Sequence, residues 1–200
     1  MIPESFQRGF MKLLSPLVRL LTRLGVSPNS LTIAGVVITT AGALAFFFKS
    51  PRIGGFLILL GGLCDAIDGS LARNAGKATR FGALLDSSVD RYAEFVMLFG
   101  IGGYFLMVDD YVSAAVTFLA LCGSFMVSYT RARAEGLGID CRVGMMQRAA
   151  RLVLLFAGTF FGLIFRIYDP ALTVVVGLIA LVSNITAAQR LSYVRTWEKK

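Results

Sequence analysis

The chain has 200 residues, of which 56% are hydrophobic and only 16% are charged, and its formal charge is +8. This composition is too apolar for a soluble domain of this length, which excludes the soluble enzyme classes. The sequence contains no histidine, and its three cysteines share no Cys-x-x-Cys spacing, so zinc sites and histidine-based triads lack their residues. Basic residues are spread between apolar runs, which favours anionic lipid headgroups and phosphorylated substrates over nucleic acid.

The first predicted element is an amphipathic helix at residues 2–25. Apolar side chains recur at helical spacing from Phe6 to Leu24, opposite basic residues that include Arg8 and Lys12. A helix of this kind lies in the membrane interface, with its cations against anionic headgroups. We therefore expect an interfacial helix before the first membrane span, with an ordinary packed helix as the alternative.

Six membrane spans are predicted to follow. A helix crosses the hydrocarbon core with roughly 20 residues, and apolar runs of suitable length occupy 31–48, 53–71, 81–108, 111–129, 145–165 and 171–188. Because no linker suggests a second domain, residues 1–200 are expected to form one all-α integral membrane domain, with a six-helix bundle at 31–188. Lys and Arg are concentrated at the termini and in alternate loops, which predicts a cell-membrane protein with both termini in the cytoplasm.

Four aspartates lie at the adjoining ends of the second and third spans. Asp65 and Asp68 close the second span, and Asp86 and Asp90 open the third. Residues three or four apart project from the same side of a helix, and the short connecting loop makes the spans antiparallel neighbours, so both pairs can converge on one pocket. Clustered carboxylates repel one another unless divalent cations neutralise them, and oxygen ligands suit Mg²⁺ or Mn²⁺.

Small residues accompany these aspartates. Gly69 follows the second aspartate directly, Ala72 lies one turn later, and Gly82 lies one turn before the third aspartate. A bulky group is therefore expected to approach the backbone here, while Arg73 can supply a cation to a phosphate. Taken singly, each feature has an ordinary explanation, because a glycine permits helix packing and a lone aspartate can pair with Arg91.

Residues 65–90 read Asp-x2-Asp-Gly-x2-Ala-Arg-x8-Gly-x3-Asp-x3-Asp. At every fixed position this pattern resembles the signature of the CDP-alcohol phosphotransferase family. The resemblance implies a homodimeric six-span protein with an interfacial helix and with its active site at the cytoplasmic membrane face. It also implies transfer of a phosphatidyl group from CDP-diacylglycerol, or a related CDP-lipid, to a hydroxyl acceptor, with membrane lipids as further partners.

The family's functional residues are carried over to the matching positions. By resemblance, the first three aspartates, Asp65, Asp68 and Asp86, would bind one Mg²⁺ or Mn²⁺ ion. Asp90 would assist a second ion and accept the proton of the attacking hydroxyl, a role that suits a carboxylate in a chain without histidine. The pyrophosphate of the CDP-lipid would bridge the two ions. The nucleotide site would be lined by residues of three segments: Asn29, Thr32, Asp65, Asp68, Gly69, Ala72, Arg73, Thr79 and Gly82.

Arginines of three separate regions are candidates for binding the acceptor. A guanidinium group matches the geometry of phosphate, so convergence of these arginines would indicate a phosphorylated alcohol. The alternative is that they set topology and contact headgroups. The candidates are Arg131, Arg133, Arg148, Arg151 and Arg190.

The identity of the acceptor is left open between two phosphorylated alcohols. Residues 128–135 resemble a stretch of the inositol-phosphate-accepting branch of the family. That branch also carries a later Glu-Arg-Pro-Glu-Arg motif, of which this chain keeps both arginines but has Gln147, Ala149 and Ala150 at the other positions. Inositol phosphate is therefore the first expectation, and glycerol 3-phosphate is the alternative.

Three other classes of membrane protein could account for parts of this sequence. An ion or proton transporter also places carboxylates within a membrane, but here the aspartates lie at span ends on one side, with no acidic series across the bilayer. A polyprenyl-transferring enzyme uses aspartate-rich metal sites without the Asp-Gly and Ala-Arg pairs of this pattern. A structural membrane protein would account for the spans and leave the motif unexplained.

Overall fold

The computed structural model describes residues 4–74, 79–165 and 167–197, and every regular element within these ranges is an α-helix. This confirms the predicted all-α class. There are seven such helices in the described ranges: α1 (Glu4–Arg23), α2 (Pro28–Phe47), α3 (Pro51–Asn74), α4 (Arg80–Met107), α5 (Tyr111–Gly136), α6 (Arg148–Phe165) and α7 (Tyr168–Trp197).

Four of the described helices are long and apolar enough to cross a membrane, which makes the chain a helical membrane protein. They are α2, α5, α7 and the part of α3 at Pro51–Leu71. Helix α4 has 28 residues, but charged residues crowd its first half, and the apolar stretch found in α6 is the shorter Ala149–Gly162. The count of six spans therefore stays a prediction.

Helices α2 to α7 form a closed ring. The main contacts join α2 to α3, α3 to α6, α6 to α7, α7 to α5, α5 to α4, and α4 back to α2. This order differs from the order along the chain, because α3 packs on α6 and α5 packs on α7. The ring places α3 next to α6 and α4 next to α5. The two helices that carry the aspartates therefore lie beside two helices that carry candidate arginines.

Close backbone packing joins α2 to α3. A Cβ atom placed on Gly35 would lie 3.2 Å from the carbonyl oxygen of Gly61, and one placed on Gly42 would lie 2.9 Å from the carbonyl oxygen of Gly54. Small residues at such positions allow membrane helices to approach each other closely. Helix α2 is thereby held against the helix that carries the first two aspartates.

The helix predicted at residues 2–25 forms as α1. Part of its apolar face packs on α3, where Val18, which is 2% exposed, joins Ile67 and Leu71 in a small buried cluster. On the other side of α1, Leu20 is more than half exposed, as is Leu24 just beyond the helix. Helix α1 therefore combines a packed side with an exposed apolar side.

Two helices extend beyond the predicted spans. Helix α5 continues past the apolar run that ends at 129 as far as Gly136, and α7 continues past 188 as far as Trp197. The backbone hydrogen bonds of a helix continue into polar turns that a hydrophobic pattern does not register. As a result, Arg131, Arg133 and Arg190 lie on helices.

Candidate functional site

Three aspartates from two helices converge at one end of the bundle. Asp65 and Asp68 lie near the end of α3, and Asp86 lies in the second turn of α4. One carboxylate oxygen from each of the three lies within 4.8 Å of the other two. Oxygens at this spacing can ligate one divalent cation, and a cation would relieve the repulsion among them. The donor set therefore fits Mg²⁺ or Mn²⁺.

Asp90 lies one turn beyond Asp86 on α4 and is 7% exposed. It is separate from the three-carboxylate group found among the described residues. It does line a narrow cavity of about 30 Å³ together with Asp65 and Asp68. We call this space the aspartate cavity. Glu94 of α4 and side chains of α2 also line it.

Thr32 fixes one of these carboxylates. Its hydroxyl donates to Oδ2 of Asp68 over 2.6 Å, and both side chains are buried. A hydrogen bond to a charged acceptor is among the stronger ones in a protein interior. The predicted Thr32 is therefore within the site, where the structure shows it oriented towards an aspartate.

Thr79 and Gly82 begin helix α4. The hydroxyl oxygen of Thr79 accepts a hydrogen bond of 2.9 Å from the backbone N–H of Gly82, which caps the helix. A Cβ placed on Gly82 would lie 3.0 Å from that oxygen, so glycine suits the cap. The cap sets the first turn of α4, and Asp86 follows one turn later.

The other predicted nucleotide-site residues are less closely defined. Asn29 is exposed in the first turn of α2, and Gly69 is half-buried near the end of α3. The side chains of Ala72 and Arg73 lie outside the described part of the chain. Their roles stay predictions.

A second and larger cavity, of about 480 Å³, lies between α4, α5 and the ends of α6 and α7. We call it the arginine cavity. Its wall includes polar side chains from four helices and the loop before α6, among them Arg91, Ser128, Arg131, Gln147, Arg151 and Arg190.

Three of the five candidate arginines, Arg131, Arg151 and Arg190, are thus brought together in the arginine cavity. Arg133 is exposed on α5 and is not among the residues that line it. The side chain of Arg148 lies outside the described part of the chain. Acceptor binding by these two residues stays a prediction.

Arg151 forms a buried ion pair with Glu94. Its Nε donates to Oε1 of Glu94, its Nη2 donates to Oε2 over 2.9 Å, and its Nη1 donates to the backbone oxygen of Met146 over 3.0 Å. Arg151 is 1% exposed and Glu94 is 7% exposed. Glu94 was not among the predicted site residues, although it lies four residues after Asp90 on the same side of α4.

Arg190 is buried without a carboxylate partner in the part of the chain that the structure describes. It is 2% exposed, its Nε donates to the backbone oxygen of Val143 over 3.0 Å, and its Nη1 donates to that of Val127. Glu135 offsets its charge only from beyond ion-pair distance, and burying a cation without a direct counter-charge is costly. A bound anion in the arginine cavity would supply that direct counter-charge.

Arg91 connects the two cavities. Its Nη1 donates to the hydroxyl of Ser128 in the arginine cavity, and its Nη2 lies 3.7 Å from Oδ2 of Asp90 in the aspartate cavity. From the sequence, Arg91 was expected only as a partner for an aspartate. On α5, Arg131 pairs with Glu135 over 2.8 Å, and both side chains are nearly half exposed.

Comparison with known proteins agrees with this geometry. A family model described as CDP-alcohol phosphatidyltransferase matches residues 25–186. The chain is 38% identical over 183 residues to the archaetidylinositol phosphate synthase of Pyrococcus horikoshii, with 90% of each chain covered. It is 35% identical over 201 residues to the phosphatidylinositol phosphate synthase of Mycobacterium marinum, with 97% of this chain and 84% of that protein covered.

Solved structures share the fold. The phosphatidylinositol phosphate synthase of Mycobacterium tuberculosis with CDP-DAG bound superposes with a TM-score of 0.81 at 33% identity, covering 90% of this chain and 92% of that one. The same enzyme in complex with manganese and citrate gives a TM-score of 0.82 at 34% identity, covering 90% and 88%. The similarity thus extends over most of both chains.

Proposed function

The chain belongs to the CDP-alcohol phosphatidyltransferase family, and from this premise we propose that it transfers a phosphatidyl group from CDP-diacylglycerol, or a related CDP-lipid, to a hydroxyl of a phosphorylated alcohol. One observation carries the proposal. Helix α4 presents Asp90 to the aspartate cavity and Arg91 to the arginine cavity. A donor held at the first cavity and an anionic acceptor held at the second would therefore meet along this helix.

The aspartates suit the donor side of the reaction. We assign Asp65, Asp68 and Asp86 to one divalent cation, Mg²⁺ or Mn²⁺, because one carboxylate oxygen from each lies within 4.8 Å of the other two. We assign Asp90, which lines the same cavity, to a second cation. When bound, such cations stabilise negative charge on the transferred phosphoryl group and on the leaving phosphate. The relative from Mycobacterium tuberculosis, solved in complex with manganese, supports the use of a divalent cation.

Asp90 suits the role of general base. In the proposed reaction the acceptor hydroxyl oxygen bonds to the lipid-bearing phosphorus, the bond from that phosphorus to CMP breaks, and Asp90 takes the hydroxyl proton. The position of Asp90 supports this role, because its carboxylate lines the aspartate cavity and lies 3.7 Å from Arg91 of the arginine cavity. The chain has no histidine that could compete for the role.

The nucleotide portion of the donor is proposed to lie against the ends of α2, α3 and α4. Thr32 would act through its hydrogen bond to Asp68, and the Thr79–Gly82 cap would keep the start of α4 compact. The remaining residues of this proposed site are Asn29, Gly69, Ala72 and Arg73.

The acceptor is proposed to be inositol phosphate. The buried cation of Arg190 favours an anionic ligand in the arginine cavity. The names of the relatives, which include phosphatidylinositol phosphate synthases and an archaetidylinositol phosphate synthase, favour inositol phosphate over glycerol 3-phosphate. Gln147, which replaces an acidic residue of the related motif, also lines this cavity and bears on the choice between the two alcohols.

The membrane arrangement is part of the proposal. We propose one domain at residues 1–200, with six spans formed by α2–α7, with α1 in the interface, and with the protein acting as a homodimer. The ends of α3, α5 and α7 and the starts of α4 and α6 carry the proposed site residues. The excess of Lys and Arg at this end of the bundle supports a cytoplasmic location for it and for both termini.

An acceptor screen tests the function. Purified protein in lipid nanodiscs would receive CDP-diacylglycerol, Mg²⁺ or Mn²⁺, and in turn inositol phosphate, glycerol 3-phosphate, inositol or serine. We expect CMP release and a new phospholipid with inositol phosphate. Faster turnover with free inositol or serine would contradict the acceptor assignment. Ion flux in liposomes without CMP release under any condition would instead support a transporter.

A further inference from the structure

The ion pair between Glu94 and Arg151 lies in the partition between the two cavities. Glu94 lines the aspartate cavity, whereas Arg151 lines the arginine cavity. Their helices, α4 and α6, are not neighbours in the ring, so the pair reaches across the bundle. Because one partner lies in each wall, the ion pair links the wall of the aspartate cavity to the wall of the arginine cavity.

The hydrogen bonds of Arg151 fix the plane of its guanidinium group. A guanidinium has five N–H donors, of which three are used: two by Glu94 and one by Met146. The other two have no acceptor among the described residues. Since Glu94 binds the edge formed by Nε and Nη2, it determines the direction in which the unused donors point.

The two buried arginines differ in their electrostatic contribution. Glu94 neutralises Arg151 in a direct ion pair, whereas Arg190 donates hydrogen bonds to backbone oxygens and Glu135 acts on it only from beyond ion-pair distance. Arg190 therefore contributes net positive charge to the arginine cavity. Arg151 contributes oriented donors whose direction is set before a ligand arrives, which lowers the cost of ordering them on binding.

We propose that Glu94 is a positioning residue for the acceptor: it holds Arg151 so that the two unused guanidinium donors meet the phosphate of the alcohol. This inference rests on the proposed function. A buried ion pair that served only folding would predict a uniform loss of stability and activity. A positioning role predicts a loss confined to the acceptor.

The test compares Glu94→Gln with a matched control. Glu94→Gln keeps the size of the side chain and removes its charge. Asp140→Asn removes the same charge from a pair with Arg142 that is exposed and outside the arginine cavity. We expect Glu94→Gln to raise the acceptor KM about 10- to 100-fold, as small misplacements of binding groups do, while the KM for CDP-diacylglycerol stays unchanged. Asp140→Asn should leave both KM values unchanged.

A double variant tests whether Glu94 acts through Arg151. If Glu94 acts through Arg151, Glu94→Gln combined with Arg151→Gln should have the same acceptor KM as Arg151→Gln alone. Independent, multiplying effects would overturn the inference. Equal changes in both substrate KM values for Glu94→Gln, or an unchanged acceptor KM, would also overturn it.

Three further outcomes keep the test decisive. If Glu94→Gln does not purify as a monodisperse protein, Glu94→Asp retains the charge on a shorter side chain and should still raise the acceptor KM; a wild-type value would overturn the inference. Absence of CMP release from the wild-type enzyme with every phosphorylated alcohol would overturn the proposed function itself. Normal turnover of the wild type with an unaffected Glu94→Gln variant would overturn only the role of Glu94.

Discussion

The aspartate cavity and the arginine cavity are built in different ways. The aspartates come from two helices that are consecutive in the chain and separated by one short loop, so their convergence follows from spacing along the sequence. The arginine cavity combines α4 and α5 with the ends of α6 and α7. It depends on the order of helices around the ring, which a local motif does not encode.

The two cavities also differ in their charges. The aspartate cavity gathers like charges that require cations. The arginine cavity is lined by four arginines, of which Arg151 is neutralised by Glu94 and Arg190 has no carboxylate within ion-pair distance among the described residues. Bound cations in the first cavity would suit the pyrophosphate of the proposed CDP-lipid donor. The cations of the second cavity would suit the proposed anionic acceptor. Perturbing each in turn should separate donor chemistry from acceptor binding.

Removal of the divalent cation should have the largest effect. Because Asp65, Asp68 and Asp86 place carboxylate oxygens within 4.8 Å of one another, we expect excess EDTA to reduce CMP release to background. Mg²⁺ or Mn²⁺ should restore it, whereas Ca²⁺, which prefers longer bonds and more ligands, should restore it poorly. Full turnover in excess chelator would contradict the assignment of the aspartate cavity as a metal site.

Substitution of the proposed base should have the next largest effect. Asp90→Asn keeps the shape of the side chain but cannot take a proton, so kcat should fall by about 100-fold or more. Binding of CDP-diacylglycerol, measured by calorimetry in nanodiscs, should persist. Asp169→Asn, at the opposite end of the bundle, where Asp169 accepts a hydrogen bond from Tyr104, provides a control that should retain kcat. Near-normal turnover of Asp90→Asn would mean that another group accepts the proton.

These two predictions concern the part of the site that could be read from the sequence. Hydrophobic runs predict the helices, and carboxylates three and four residues apart predict a shared helical side, because both signals are local. The ends of the helices could be predicted less well. Arg131 was expected in a break between spans, but α5 continues through it. In the last turns of α5, Ser128, Arg131 and Glu135 lie three or four residues apart and share the side that lines the arginine cavity, whereas Arg133 is not among the lining residues.

The partnership of Glu94 with Arg151 could not be predicted from the sequence. The two residues are 57 positions apart and lie on helices that are not adjacent in the ring. Only the packing of α3 on α6 and of α5 on α7 brings them together. Arg190 likewise reads as one more basic residue near the end of a span until its burial is known. Nonlocal packing thus determines the arginine cavity.

Substitution of Arg190 should affect the acceptor side alone. Arg190→Gln removes the buried cation from the arginine cavity, and loss of a charge-assisted hydrogen bond should raise the acceptor KM by roughly 10- to 150-fold. The KM for CDP-diacylglycerol should change little. Arg195→Gln, which alters an exposed arginine in the last turn of the same helix, is the matched control. A parallel rise in both KM values would show that Arg190 supports the fold and does not act on the acceptor.

The smallest predicted effect concerns the orientation of Asp68. Thr32→Val keeps the shape of the side chain and removes the hydroxyl that donates to Oδ2 of Asp68. A freed carboxylate loses its fixed direction, and substitution of such outer partners typically weakens metal binding by about 10- to 100-fold. We expect the Mg²⁺ concentration for half-maximal activity to rise within the lower part of that range, with kcat nearly normal at saturating Mg²⁺. Thr40→Val is the control, because its hydroxyl donates to the backbone oxygen of Val36 on the same helix, away from the aspartates. An unchanged Mg²⁺ requirement in Thr32→Val would mean that Asp68 is held by its other neighbours.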